Sequence, residues 1–199
     1  MRLGPAEVVW TERADGDMRA APDPAWTVLR QVHGADVVVV DGPGACTGTA
    51  ADAAVTKVPG ARLAILTADC APVALAGAEG VVAAVHAGWR GLHAGVVEQA
   101  AARMRALGAT RVQAALGPCI HVECYEFVDV ADWFDEEVRG TTTTGAPALD
   151  LPAAVRAALR RADVELVHDA DACTACEADR FWSHRARGEV ERQAMVVWT

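Results

Sequence analysis

The sequence predicts a mixed-sheet α/β (α+β) fold, and three observations carry that reading. Strand-length apolar runs alternate with stretches whose apolar residues recur at helical spacing along the 199 residues. No glycine-rich dinucleotide fingerprint joins a strand to a helix, which sets the chain apart from a doubly wound nucleotide-binding sheet. The length suits one domain over 1–199 with a core of its own, and no repeat of solenoid length appears.

In chain order, an apolar run at 37–40 is separated from a half-strand at 53–55 by the Gly/Pro/Thr loop Asp41 to Thr49. Compact strands are expected at 62–67 and 81–85, joined by the Gly/Ala/Glu turn at 77–80 as a hairpin or short crossover. Leu92, Val96, Val97, Ala100, Ala101, Met104 and Leu107 then mark one helix, with Gly108 just past its end. A strand at 111–116 leads into Gly117-Pro118. An acidic amphipathic helix at 129–138, a Thr/Gly loop at 140–146, a helix from about 151 to 161, and strands near 164–168 and 193–198 complete the pattern.

Composition excludes several function classes. A net charge of -9, with Lys57 the only lysine, argues against binding a nucleic-acid backbone, which needs a basic face. No apolar stretch reaches the roughly 20 residues of a membrane helix, and Met1-Arg2-Leu3-Gly4-Pro5 does not resemble a signal peptide. The expectation is a cytoplasmic protein, monomeric or weakly dimeric, whose cysteines 46, 70, 119, 124, 173 and 176 stay reduced.

Three potential metal ligands follow apolar runs. His33 lies in Gln31-Val32-His33-Gly34, Cys70 in Thr67-Ala68-Asp69-Cys70, and His86 in His86-Ala87-Gly88-Trp89-Arg90-Gly91. Two imidazoles and a thiolate fill three of zinc's four tetrahedral positions and leave one open, as in a catalytic site. Asp69 is placed to orient a histidine ligand or to move a proton. Arg90, with the N–H groups of the following helix start, offers a seat for an anion such as phosphate. Ser183 and Arg185 offer a hydroxyl and a cation to a substrate. The segment 117–126 mixes Cys, His and Glu at short spacing and, with Cys173-Thr174-Ala175-Cys176, supplies donors for a second, structural zinc site. Against that stands the presence of only one CxxC pair, where closed sites bring two.

These motifs, with Gly117-Pro118-Cys119-Ile120, resemble in order and spacing the YfiH/YlmD family. Its members have been labelled multicopper polyphenol oxidase (laccase), purine nucleoside phosphorylase and peptidoglycan editing factor. Ala51-Asp52-Ala53, Cys124-Tyr125-Glu126, Cys173-Thr174 and Phe181-Trp182-Ser183-His184-Arg185 extend the similarity, which covers the chain from about residue 27 to its end. The resemblance implies a four-layer α/β/β/α sandwich with mixed sheets, related to deamidating toxins that use a Cys–His pair. It implies zinc on His33, Cys70 and His86. It also implies phosphorolysis of adenosine, inosine and methylthioadenosine, with adenosine deamination at the same site.

Two departures stand out. Between Gly16 and Trp26 the chain lacks a longer family segment, giving a shortened N-terminal region. Val190-Glu191-Arg192 replaces a Thr-Gly-Arg, which puts a carboxylate beside an anion-binding arginine. The competing readings are a metal-free cysteine hydrolase or amidase with Cys70 as nucleophile and His86 as base, a peptidoglycan-precursor editing factor, and a copper polyphenol oxidase. The last is disfavoured because six histidines are too few for blue and trinuclear copper centres.

Overall fold

The computed structural model describes residues 1–20 and 22–199. Its strands are β1 (Arg2–Leu3), β2 (Ala6–Trp10), β3 (Trp26–Val28), β4 (Val37–Val39), β5 (Ala53–Thr56), β6 (Arg62–Thr67), β7 (Ala71–Gly77), β8 (Val82–Ala87), β9 (Val112–Leu116), β10 (Arg139–Thr141), β11 (Pro147–Leu149), β12 (Glu165–Asp169) and β13 (Gln193–Trp198). Its helices are α1 (Trp89–His93), α2 (Val96–Ala106), α3 (Val130–Trp133), α4 (Leu151–Arg161) and α5 (His184–Arg187). Among the described residues no helix is long and apolar enough to cross a membrane.

Two mixed sheets stack face to face. One is five-stranded, in the order β1-β2-β13-β6-β3, and the other six-stranded, in the order β12-β9-β7-β8-β5-β4. Strand alternation assigns each side chain its layer. On β8, Ala83 and Val85 face the layer of α2 and α4, where Val97, Met104, Val155 and Leu159 pack on them. Val82 and Ala84 face the other way, into the space between the sheets, against Leu63, Ile65, Met195 and Val197. The six-stranded sheet offers mostly alanine and valine to that space, so the two sheets approach closely. The far face of the five-stranded sheet buries Ala64, Ala194 and Val196 beneath Met18, Trp26 and Trp198.

Several expectations are refined. The strands at 62–67 and 82–87 lie in different sheets, and the turn at 77–80 instead joins β7 to β8 as a hairpin, with Gly77 N–H donating to Val81 O at 2.8 Å. β7 was not expected from the sequence: Ala71-Pro72-Val73-Ala74 carries few β-branched residues, and its proline stands at the strand's start, where a missing N–H is tolerated. The β1–β2 hairpin was likewise not anticipated. The helix after Gly91 breaks at Gly95, whose φ of 84° directs the chain from α1 into α2. The helix expected over 129–138 reduces to α3 and a single 3-10 turn at Glu136–Val138. Phe134 between them is extended and puts its ring edge-on to Phe127, so aromatic packing overrides the helical pattern. The Thr/Gly stretch forms the β10–β11 hairpin. The helix at 151–161 stands as expected, capped by Asp150, whose carboxylate accepts the Ala153 N–H at 2.8 Å.

Candidate metal centre and substrate cleft

Two connections and a strand end converge at one end of the space between the sheets. His33 lies in the loop after β3, Cys70 in the turn from β6 to β7, and His86 near the end of β8, with its side chain on the inter-sheet face. Their donor atoms lie within 4.8 Å of one another. Cys70 Sγ stands 3.9 Å from His33 Nε2, and the two imidazole rings meet edge to face with centroids 4.8 Å apart.

Asp52, fully buried just before β5, organises the group. Oδ1 accepts the His33 N–H at 2.8 Å and also bonds His86 Nδ1 at 2.8 Å. Oδ2 accepts the N–H groups of Gly34 at 2.7 Å and Val32 at 3.2 Å. One carboxylate thus folds the His33 loop, where His33 has a φ of 61°, and fixes the tautomer of His86, leaving Nε2 free as a ligand. Gln31 clamps the same loop to β6: its amide accepts Leu66 N–H at 2.9 Å and donates to Leu66 O at 2.8 Å.

The glycines of the His86 motif keep space. A Cβ on Gly88 would stand 3.1 Å from Cys70 Sγ and 3.1 Å from His33 Cδ2. One on Gly91 would meet Gly34 O at 2.8 Å. The donor set and this open cradle fit a three-ligand zinc site with a vacant fourth position. Without metal the same groups form an ion pair. Burial opposes the Cys70 thiolate, but His86 and His33 outweigh it and lower the thiol to about 6. Burial likewise opposes the His86 imidazolium, while the Cys70 thiolate and Asp52 raise it to about 9.

The other sequence candidates divide. Asp69, with a φ of 96°, sits beside Cys70, but among the described residues its carboxylate bonds Thr174 and Arg185 rather than a histidine. It accepts the Thr174 hydroxyl at 2.8 Å and the Arg185 N–H at 2.7 Å, so it fixes the Cys70 turn; the carboxylate that orients a histidine is Asp52. Ser183 is fully buried, and its Oγ caps α5 by accepting the Ala186 N–H at 3.1 Å, which turns it away from a substrate role. Arg90 lies exposed with its guanidinium 4.2 Å from the Trp89 ring centre, outside the cleft that holds the ligands. Arg185 lines that cleft, where Nη1 donates to Glu126 O at 3.0 Å and the guanidinium lies 5.1 Å from the Tyr125 ring centre.

The cleft has a volume of about 540 Å³, in the range of small-molecule sites. Leu29 and Leu66 supply apolar wall, and Arg19, Arg185 and Arg192 supply positive charge. Thr67, 2% exposed, also lines it with a hydroxyl that has no hydrogen-bond partner among the described residues. Sequence reasoning missed Asp52, Gln31 and Thr67; the available signal for Asp52 was an acid between alanines before an apolar strand, since a buried carboxylate needs partners. Of the remaining histidines, His184 also lines the cleft, exposed and with its Nδ1 3.3 Å from Glu189 O, whereas His168 stacks on Trp10, His93 packs on Trp133, and His121 has its Nδ1 3.9 Å from Glu123 Oε1.

Comparison with known proteins adds independent findings. The family model described as multi-copper polyphenol oxidoreductase laccase matches residues 6–199. A Streptomyces griseus protein named purine nucleoside phosphorylase is 43% identical over 189 residues, covering 88% of this chain and 75% of the relative. A Streptomyces coelicolor protein of the same name is 44% identical over 188 residues, covering 88% and 76%. Among solved structures, a Neisseria meningitidis protein aligns with a TM-score of 0.77 at 34% identity, covering 91% of this chain and 77% of that one. YlmD from Geobacillus stearothermophilus aligns at 0.74 and 31% identity, covering 88% and 73%.

Proposed function

The chain belongs to the multi-copper polyphenol oxidoreductase laccase family, and on that premise we propose that it is a zinc-dependent purine nucleoside phosphorylase. Its proposed substrates are adenosine, inosine and methylthioadenosine, with adenosine deamination as a second reaction in the same cleft. The observation that carries this reading is the convergence of His33, Cys70 and His86 beside a cleft that also holds arginines and a hydroxyl unpartnered among the described residues. The naming of relatives above 40% identity as purine nucleoside phosphorylases supports it.

In phosphorolysis the bond between the sugar C1′ and the base nitrogen breaks, and a phosphate oxygen bonds to C1′. The proton carried by the phosphate ends on the departing base. His33, Cys70 and His86 would hold the zinc, which supplies a Lewis acid that polarises a substrate group. Arg185 and Arg192 attract and orient the phosphate through charge-assisted hydrogen bonds. Leu29 and Leu66 exclude water from one side of the nucleoside, and Thr67 Oγ1 hydrogen-bonds one of its polar groups. Asp52 acts through His86 and His33 as a positioning residue. Copper-based phenol oxidation needs imidazoles gathered around several ions, and the placement of His93, His121 and His168 outside the cleft disfavours it.

One observation favours a second reading. Cys70, His86 and Asp52 also form the nucleophile, base and orienting acid of a cysteine hydrolase. Chelation separates the two: it abolishes a zinc phosphorylase and leaves a metal-free cysteine hydrolase active. The direct test of the proposal is product analysis with adenosine and phosphate, in which adenine and ribose 1-phosphate are expected.

A further inference from the structure

A second donor cluster lies outside the cleft. Cys124 ends the 3-10 turn Val122–Cys124, and Cys173 and Cys176 lie in the turn after β12. Their sulfur atoms and a carboxylate oxygen of Glu123 lie within 4.8 Å of one another. Cys124 Sγ is 3.3 Å from Cys176 Sγ, and Cys176 Sγ is 3.7 Å from Glu123 Oε1. With zinc–sulfur bonds near 2.3 Å, the edge of a tetrahedral site is about 3.8 Å, so these separations need little adjustment.

The surroundings are shaped for a bound ion as well. Cys173 is buried, and the His121 N–H donates to its sulfur at 3.4 Å, a bond that supports a metal-bound thiolate. The two segments are tied together by Cys119 N–H donating to Ala172 O at 3.2 Å and Thr174 N–H donating to Cys119 O at 3.0 Å. Arg187 braces the CxxC turn from outside, donating to Ala175 O at 2.9 Å and to Thr174 O at 3.1 Å. A disulfide between Cys124 and Cys176 would use two of the four donors and leave Cys173 and Glu123 idle; a cation uses all four.

We propose that Glu123, Cys124, Cys173 and Cys176 bind a second, structural zinc ion that staples the 119–124 segment to the 173–176 turn. Three thiolates and one carboxylate close the coordination sphere, leaving no position for substrate. The staple also reaches the cleft. Thr174, next to Cys173, holds Asp69 beside Cys70, and Tyr125, next to Cys124, lines the cleft wall. The inference does not rest on the nucleoside reading, because its readout is metal content.

The test is zinc stoichiometry in full-length protein purified without chelator. His33→Ala combined with His86→Ala disables the first site and is expected to retain one zinc per chain. Cys124→Ser combined with Cys176→Ser is expected to lose one equivalent relative to the unaltered protein. Should the cysteine variant fail to fold, cobalt loading of the histidine variant decides instead: thiolate-to-cobalt charge-transfer absorption with a tetrahedral spectrum is expected. A folded histidine variant that takes up neither zinc nor cobalt would overturn the proposal. So would an intact mass lacking two hydrogens, with the Cys124–Cys176 disulfide mapped in freshly purified protein.

Discussion

Asp52 grips His86 at two points: its main-chain oxygen accepts the His86 N–H at 2.8 Å, and its Oδ1 bonds Nδ1 at 2.8 Å. The same carboxylate takes the N–H groups of Val32, His33 and Gly34, so two of the three candidate ligands depend on one buried acid. Asp52→Asn keeps the volume but turns one acceptor oxygen into a donor facing N–H groups. Zinc affinity of the first site should fall about 10–100-fold, with a lower Tm. Competition with a chromogenic chelator measures the first effect and thermal unfolding the second; unchanged affinity would remove Asp52 from its positioning role.

Gly88→Ala should weaken zinc binding at the first site by about tenfold or more while the fold survives. The added methyl would press on Cys70 Sγ and His33 Cδ2, each 3.1 Å away, rather than on backbone. Circular dichroism matching the parent, combined with reduced zinc retention, is the expected pair of results.

The arginines should separate cleanly. Arg185→Ala and Arg192→Ala should each raise the KM for phosphate more than that for nucleoside, whereas Arg90→Ala should change neither much, since that side chain lies on Trp89. Hydrogen bonds to charged groups contribute roughly 1.5–3 kcal/mol, which corresponds to about tenfold or more. Thr67→Val should act the other way, raising the KM for nucleoside with little effect on phosphate.

Metal-free protein should carry Cys70 as a thiolate at neutral pH. Its alkylation by iodoacetamide should have a midpoint at about 6 rather than the ordinary 9.0, and His86→Ala should move that midpoint up. For stability the signs oppose. The raised His86 contributes stability below 6.5 that is lost as pH rises through about 9. The lowered Cys70 contributes stability above 9.0 that is lost as pH falls through about 6. Between about 6.5 and 9 the proton released by the thiol offsets the one gained by the imidazole, so this pair leaves stability nearly flat. A steep stability change in that window that vanishes in Cys70→Ala would contradict the pairing.

The convergence of His33, Cys70 and His86 was legible in the chain because each follows an apolar run, so it requires only that the strand ends meet. Strands with β-branched or leucine-rich runs, such as β6, β8 and β13, were legible for the same reason. β7 was not, since alanine and proline leave no strand signature and its place comes from neighbours on both sides. The break at Gly95 and the collapse of the helix at 129–138 are tertiary outcomes, set by a left-handed residue and an aromatic cluster. Arg90 and Ser183 have the right chemistry in the right segments, yet stacking on Trp89 and capping of α5 turn them away from the cleft. The sequence marks Asp52 as an acid in need of partners, but not which ones: the four donors that fold around it come from the 32–34 loop and β8. Cys176 was legible as a possible donor from its CxxC spacing, but its neighbour was not: the pairing with Cys124 comes from the fold, which brings the 173–176 turn against the 122–124 turn.

Product analysis of zinc-loaded protein with adenosine and inorganic phosphate tests the central claim most directly. The expected result is adenine and ribose 1-phosphate in equal amounts, dependent on phosphate, lost on chelation and lost in Cys70→Ala. Folded, zinc-loaded protein that leaves adenosine, inosine and methylthioadenosine intact at millimolar phosphate would contradict it.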